Sequence, residues 1–287
     1  MKFLFIIQWY GKLPIWFPIT FKTMINNYVD FLLIGDFENS ADIYINYIEK
    51  NNVKNIKFIY FSKIDLKKII KKKLDIDLYF YPYKCCDLKP IYGILFNNYI
   101  IDYDYWGYCD IDLFFSNLKV YLEKISTNIE IISGDTNCPI GPFTLFKNNK
   151  LNNEMCKELD LKLVLESRLI YGIDEGHDFE GKTLESSNTN NMKNIIKKNI
   201  YKKDILNNLF SVQLNHYDYH NYKCMDLVYY FDNLYLLVNK KFIKTGCIHL
   251  NEKNNLDFSS LNKINIKKIL NKKNLNFCIS NEKFYIF

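Results

Sequence analysis

Three pairs of aspartates separated by a single residue are the first candidates for chemistry in this 287-residue chain. They are Asp75/Asp77, Asp102/Asp104 and Asp110/Asp112. In an extended chain, residues i and i+2 project to the same side, so the two carboxylates of a pair can face one cation. Oxygen ligands of this kind suit Mg²⁺ or Mn²⁺ bridging a diphosphate. The spacing predicts a divalent-cation site but does not choose between the pairs.

Position along the chain singles out Asp110 and Asp112. They follow the aromatic run Tyr103 to Tyr108, which predicts a strand, and Leu113-Phe114-Phe115 comes next. In open α/β sheets, ligands bind beyond the carboxyl ends of the strands, so this pair is expected at the cleft. The other two pairs precede predicted strands, where solvated acidic turns are the ordinary explanation. On spacing alone, a structural role and a metal-binding role for Asp110 and Asp112 both stay open.

The first half of the chain alternates apolar runs with amphipathic segments, as a parallel sheet covered by helices does. Three apolar runs predict strands buried on both faces: Phe3 to Ile7, Phe31 to Ile34 and Ile56 to Phe61. Helices are predicted over 18–28, 40–50, from Ser62 or Asp65 onward, and over 87–99. The elements therefore predict an α/β fold.

The pattern changes from about residue 140. We predict a strand at Phe143 to Phe146, a helix over 151–160 and a long functional loop over 172–190. A helix is predicted around Met192 to Ile200, followed by a hairpin of Leu227 to Tyr230 with Leu234 to Val238 around Asp232-Asn233. The tail predicts a Lys-rich helix with a closing strand near 276–287. No composition break is sharp enough to divide the chain.

Composition excludes several classes of protein. Hydrophobic residues make up 48% of the chain and aromatic residues 17%, which predicts a compact core. No apolar run approaches the ~20 residues of a transmembrane helix, and Gln8 ends the first run short of a signal peptide. Peripheral contact with an anionic membrane through the lysine runs at 67–73 and 197–203 stays open.

Charge and cysteine usage bear on partners and compartment. The net charge is +6, but Arg168 is the only arginine, and base readout favours the planar guanidinium, so no nucleic-acid partner is expected. The eight cysteines include no C-x-x-C pair, and several lie in apolar segments. These features predict free thiols and a cytoplasmic location, in a bacterium or a virus-infected cell.

Four ordered segments carry a resemblance to a known family. The stretch 106–115 reads W-G-Y-C-D-I-D-L-F-F, 8–14 reads Q-W-Y-G-K-L-P, 30–36 reads D-F-L-L-I-G-D, and 83–93 reads Y-K-C-C-D-L-K-P-I-Y-G. Together they resemble small GT-A-type glycosyltransferases of polysaccharide-synthesis loci, of bacterial or large-virus type. The resemblance covers roughly residues 1–180 and, more loosely, the remainder.

The resemblance implies a GT-A-like, Rossmann-like fold with a mixed, mostly parallel central sheet flanked by helices and a smaller acceptor-side region in the C-terminal half. It implies a single domain over 1–287, with a nucleotide-sugar-binding half at 1–135 and an acceptor-side half at 136–287. The implied activity is metal-dependent transfer of a sugar from a nucleotide diphosphate sugar, a UDP-sugar first of all, to a glycan or other hydroxyl acceptor. The implied cofactor is Mn²⁺ or Mg²⁺.

The implied metal ligands are Asp110 and Asp112, with Asp110 also contacting the donor. His249 ends a short apolar run late in the chain, where GT-A enzymes often supply a third ligand. A lone histidine beside apolar neighbours is also commonly a structural residue.

The implied donor-binding residues surround the nucleotide. Asp87 is assigned to the ribose, and Lys84 and Lys89 to ribose or diphosphate oxygens. Asp36 is assigned to the base, which the backbone at Tyr10 and Gly11 approaches. The alternatives are an aspartate at a helix start, solvated lysines and a simple turn glycine.

The implied catalytic residues are Asp174 and Glu175, in a short acidic motif. In an inverting transfer such a carboxylate removes the acceptor proton, and in a retaining one it only orients the acceptor. Gly176 replaces the tryptophan that commonly follows in the family. Two other functions stay open: a non-catalytic sugar- or nucleotide-binding relative, and a metal-dependent nucleotidyltransferase or phosphohydrolase with more acidic ligands on the metal.

Overall fold

The computed structural model describes residues 1–25, 27–133, 141–174, 226–238, 241–250, 261, 266–280 and 283–286. Its strands are β1 (Phe3–Trp9), β2 (Asp30–Gly35), β3 (Ile56–Tyr60), β4 (Tyr105–Cys109), β5 (Leu113–Phe115), β6 (Ile131–Ser133), β7 (Phe143–Lys147), β8 (Asp226–Tyr230), β9 (Asn233–Val238), β10 (Lys241–Thr245), β11 (Cys247–His249), β12 (Phe277–Ser280) and β13 (Lys283–Ile286). Its α-helices are α1 (Phe17–Met24), α2 (Asp42–Asn51), α3 (Lys63–Leu74), α4 (Cys85–Leu88), α5 (Tyr92–Leu95), α6 (Asn97–Ile100), α7 (Lys119–Leu122), α8 (Lys150–Glu154), α9 (Leu161–Glu166) and α10 (Ile266–Asn271).

Six strands form the central sheet, in the order β3-β2-β1-β4-β7-β6. Strands β1 to β4 run parallel, whereas β7 runs antiparallel to both β4 and β6. The sheet is mixed and mostly parallel, and helices flank it, which confirms the predicted α/β class.

Strand β1 shows why this sheet is buried on both faces. Phe3, Phe5 and Ile7 pack in one core with residues of α1 and α2, while Leu4 and Ile6 pack in a second core with residues of α3 and α5. Alternate residues of a strand point to opposite faces, so a continuous apolar run supplies both cores.

The strands and helices predicted for residues 1–75 are present with small shifts at their ends. Helix α3 begins after Ser62, whose hydroxyl accepts from the Asp65 backbone N–H while the Asp65 carboxylate accepts from the Ser62 backbone N–H. The aromatic strand is β4, which ends at Cys109 and leaves Asp110 as the next residue.

The continuous helix predicted over 87–99 is wrong. The segment consists of α4, a 3₁₀ turn at Lys89–Ile91, α5 and α6. Pro90 has no backbone N–H to donate, and the backbone leaves the helical region at Ile91 and Phe96. A Cβ on Gly93 would lie 2.6 Å from the Trp106 ring, so the segment packs directly against β4. The apolar residues of this segment recur at helical spacing because its short helices pack against β4, although they do not form one straight helix.

The C-terminal part contains a five-stranded antiparallel sheet in the order β10-β9-β8-β12-β13. The predicted hairpin is confirmed, but its turn residues are Phe231 and Asp232, which both have positive φ angles, and Asn233 already belongs to β9. The predicted closing strand is two strands, β12 and β13. The predicted helix over 151–160 is α8 followed by a 3₁₀ turn at Met155–Glu158.

A two-stranded antiparallel sheet of β5 and β11 lies directly after the Asp110/Asp112 segment. Residues 175–190 of the predicted loop and the predicted helix around 192–200 lie outside the described residues. Within the described ranges, no helix is both long enough and apolar enough to cross a bilayer.

Candidate metal centre

Asp110, Asp112 and His249 form a compact group of three ligand-type side chains. His249 Nε2 lies 3.1 Å from Asp112 Oδ1 and 3.6 Å from Asp110 Oδ2, and one ligand atom of each residue lies within 4.8 Å of the other two. The side chains of Asp112 and His249 are buried, while that of Asp110 is 28% exposed. Two carboxylates and one imidazole are a donor set that a divalent cation accepts.

The backbone after β4 brings these ligands together. Asp110 follows the last residue of β4, and its carbonyl accepts from the Leu113 N–H at 3.3 Å, so the D-x-D segment forms a turn. Strand β11 then pairs with β5 so that His249 lies opposite Leu113, and the Leu250 N–H donates to the Asp112 carbonyl at 3.0 Å. The strand ladder therefore brings His249, at the end of a late strand, to the two aspartates, and its role as a metal ligand stays a prediction.

The two oxygens of the Asp110 carboxylate face different partners. Oδ1 lies 2.7 Å from Nζ of Lys89, and Oδ2 faces His249. The backbone N–H of Asp110 donates to the Pro142 carbonyl at 3.1 Å. The Asp110 carboxylate is thus oriented with Oδ1 on Lys89 and Oδ2 toward His249 of the candidate metal centre.

Lys89 lies beneath Asp110 rather than in solvent. Its Nζ lies 2.9 Å from Asp174 Oδ2 and donates to the Gly141 carbonyl at 3.0 Å, and it lies 5.7 Å from the centre of the Tyr108 ring. Burial by itself lowers the pKa of Lys89, but the charges of Asp110 and Asp174 outweigh it and hold the pKa well above its ordinary value. The alternative of a solvated lysine is wrong at this position.

Asp174 is the partner of Lys89 on the other side. Its side chain is 3% exposed, and the Tyr108 hydroxyl donates to its backbone carbonyl at 3.3 Å. In this arrangement the Asp174 carboxylate is covered and faces Lys89 rather than solvent. In place of the predicted catalytic contact, this geometry gives Asp174 the role of anchoring Lys89. Glu175, the second predicted catalytic residue, lies outside the described residues.

Lys84 and Asp87 form a second, fully buried ion pair at 2.8 Å. Asp87 also accepts from the backbone N–H groups of Tyr171 and Ile173, and Lys84 donates to two further backbone carbonyls. Neither side chain reaches solvent, so neither contacts a ribose or phosphate in this arrangement. The pair instead fixes the segment that leads into Asp174, and the predicted donor contacts are corrected to this supporting role.

Asp36 and Gly11 join the ends of β2 and β1. The Gly11 N–H donates to Asp36 Oδ1 at 2.8 Å, and Gly11 has a φ of +116°, which favours glycine. Asp36 also lies 3.7 Å from Lys63 Nζ. The Tyr10 ring is buried against Phe80, and burial, with the charges of neighbouring groups, raises the pKa of its hydroxyl. Their contacts to a base stay predictions.

The structure therefore joins five predicted residues in one cluster: Asp110, Asp112, His249, Lys89 and Asp174. Sequence reasoning missed the Gly141 carbonyl and the Tyr108 ring as parts of it, and no local signal links them to Lys89. Two surface cavities of about 380 and 610 Å³ in the described part of the chain contain none of the five.

Comparisons with known proteins place the chain in a family without adding a function. A family model described as "Family of unknown function (DUF6625)" matches residues 5–287, which include all five residues of the cluster. No curated protein matches the sequence.

Proposed function

The chain belongs to DUF6625, a family of unknown function, and we propose that it is a metal-dependent glycosyltransferase. It moves a sugar from a nucleotide diphosphate sugar, a UDP-sugar first of all, to a hydroxyl group of a glycan or related acceptor. The observation that carries this proposal is the convergence of Asp110, Asp112 and His249 at the carboxyl end of β4.

A GT-A-like fold is part of the proposal. Its support is the mixed, mostly parallel central sheet together with the positions of the four resembling segments. Two of them run through the ends of β1 and β2, one runs from β4 into β5, and the fourth contains the short helices that carry Lys89. Ligands of open α/β sheets bind at the carboxyl ends of the strands, where three of these segments meet.

The described side chains divide the work of such a site. Asp110 Oδ2, Asp112 and His249 hold the cation, and Lys89 and Asp174 keep Asp110 oriented. A bound Mn²⁺ or Mg²⁺ supplies Lewis-acid stabilisation of the negative charge on a departing diphosphate. Catalysis then depends mainly on holding donor and acceptor in place.

A nucleotidyltransferase or phosphohydrolase is supported less well. Such enzymes often use two metals and therefore more carboxylates at the centre. Among the described residues, the third nearby carboxylate, that of Asp174, is turned onto Lys89. The remaining ligand set is two carboxylates and one imidazole, which suits one cation.

Hydrolysis of nucleotide sugars tests the proposal without knowledge of the acceptor. The protein is incubated with a panel of nucleotide sugars and Mn²⁺, and the products are separated. We expect free sugar and a nucleoside diphosphate from one donor, and no reaction after chelation of the metal. Release of a sugar 1-phosphate with a nucleoside monophosphate would instead indicate cleavage within the diphosphate, as expected of a nucleotidyltransferase or phosphohydrolase.

Binding of nucleoside diphosphates tests the site itself. Calorimetry with and without Mn²⁺ is compared for the wild type, Asp112→Asn and Asp77→Asn. Asp77 is the matched control, because it belongs to another D-x-D pair and its side chain is 79% exposed. We expect Mn²⁺ to strengthen binding in the wild type and the control only. Metal-enhanced binding that survives Asp112→Asn unchanged would remove Asp112 from the site.

A further inference from the structure

The ammonium group of Lys89 is a positive charge that lies next to the candidate site for a divalent cation. Its ammonium group lies between Asp110 and Asp174, at 2.7 and 2.9 Å, and its side chain is 9% exposed. The far oxygen of Asp110 belongs to the candidate metal group. The lysine and a bound cation would therefore share one carboxylate.

The formal charges of this cluster nearly balance a divalent cation. Three carboxylates, those of Asp110, Asp112 and Asp174, and one ammonium group leave two negative charges with His249 neutral. A divalent cation neutralises them. A diphosphate then adds negative charge beside the cation, where a second positive group attracts it.

We propose that Lys89 shifts the preference of the site from the bare cation toward the cation together with a diphosphate. Its charge weakens binding of the cation alone and strengthens binding of a diphosphate to the metal-loaded site. This inference rests on the proposed function, because it assigns the cluster to a cation and a diphosphate. Lys89 acts here as a positioning and charge-balancing residue, without contact to a reacting atom.

The physical reason is that like charges repel where water screens them only in part. Lys89 lies on one oxygen of Asp110, and a cation held by the other oxygen would lie close to it, at a carboxylate that is 28% exposed. Removing the ammonium group leaves more negative charge for the cation and less positive charge for the phosphates. The two affinities are then expected to change in opposite directions, each by about tenfold, the order of magnitude of one charge interaction at reduced screening.

Opposite changes separate this role from a merely structural one. If Lys89 only maintains the fold, its loss disorders Asp110 and weakens both affinities together. The probes are Mn²⁺ alone, measured from the electron paramagnetic resonance of the free ion, and inorganic pyrophosphate, titrated calorimetrically at saturating Mn²⁺. Pyrophosphate keeps the test independent of the base and the sugar.

The variants change the charge of the cluster in both directions. Lys89→Met is expected to bind Mn²⁺ about tenfold more tightly and pyrophosphate about tenfold more weakly. Asp174→Asn, which is nearly isosteric, is expected to do the reverse, and it keeps the test open if Lys89→Met does not fold. The double variant restores the original charge and is expected to return Mn²⁺ affinity toward that of the wild type.

One further variant serves as the control. Lys22→Met removes a partly buried lysine that donates to the carbonyls of Leu270 and Lys272, outside the cluster, and is expected to change neither affinity.

The outcomes distinguish this inference from the proposed function. Parallel loss of both affinities in Lys89→Met, or no change in either, would overturn this role of Lys89, while Mn²⁺ binding by the wild type would still support the metal site. A wild-type protein that binds no Mn²⁺ would overturn the metal site, and the proposed function with it.

Discussion

The imidazole Nε2 of His249 lies 3.1 Å from the carboxylate Oδ1 of Asp112, although the two residues are distant in sequence. The contact exists because β11 pairs antiparallel with β5 and places His249 opposite Leu113. The D-x-D turn and β11 are thus joined by strand pairing, so a change in either one is expected to move Asp112 relative to His249.

Replacement of His249 tests the third ligand directly. We expect His249→Ala to lower Mn²⁺ affinity about tenfold or more, because under the proposed function the cation would lose one of its three protein ligands. Electron paramagnetic resonance of free Mn²⁺ measures the change. Lys244→Ala, an exposed position on β10, serves as the control, and equal affinities in the two variants would exclude His249 from the centre.

Gly107, which precedes the D-x-D motif in β4, lies where β4 and β7 approach each other closely. A Cβ at this position would lie 1.9 Å from the Thr144 carbonyl oxygen on β7, so the strands must separate to admit it. We expect Gly107→Ala to lower the free energy of unfolding by about 3 kcal/mol or more, measured by urea denaturation.

The neighbouring Tyr105→Phe is the control for Gly107→Ala. It removes only a hydroxyl that donates to the Ile129 carbonyl, which costs about 1 kcal/mol. Equal losses of stability in the two variants would contradict the close approach of β4 and β7.

The Lys84–Asp87 pair is expected to stabilise the segment that leads into Asp174. Removing one partner leaves a buried charge uncompensated, so Lys84→Met and Asp87→Leu should each cost about 3–5 kcal/mol. The double variant should cost less than the sum of the two. Urea denaturation of all four proteins measures the coupling, and additive costs would show that the pair is not a unit.

The hydroxyl of Tyr60 predicts how the stability of the protein changes with pH. A hydrogen bond to Asp42, with partial burial, raises the pKa of its hydroxyl to about 12. A raised pKa in the folded state adds stability below the unfolded pKa of about 10, and this contribution is lost as pH rises through about 12.

The difference in stability between the wild type and Tyr60→Phe isolates this group from the other tyrosines. It should be largest at pH 9 and shrink between pH 10 and 12, as followed by urea denaturation. A difference that is constant over this range would contradict the Tyr60–Asp42 interaction.

The sequence by itself determined the elements that are coded locally. Apolar runs of strand length located β1, β2 and β3, Ser62 and Asp65 located the start of α3, and the aromatic run placed Asp110 at the end of β4. These features depend on the two-residue period of a strand and on capping, which neighbouring residues decide.

Only the tertiary structure decided which distant groups meet. The short helix that contains Gly93 packs against Trp106, the β5–β11 ladder brought His249 to Asp112, and the buried Lys89 joined Asp110 to Asp174. Such contacts depend on how the whole chain closes, because the charge partner of a buried lysine and the pairing partner of a short strand leave no periodic signal in the sequence.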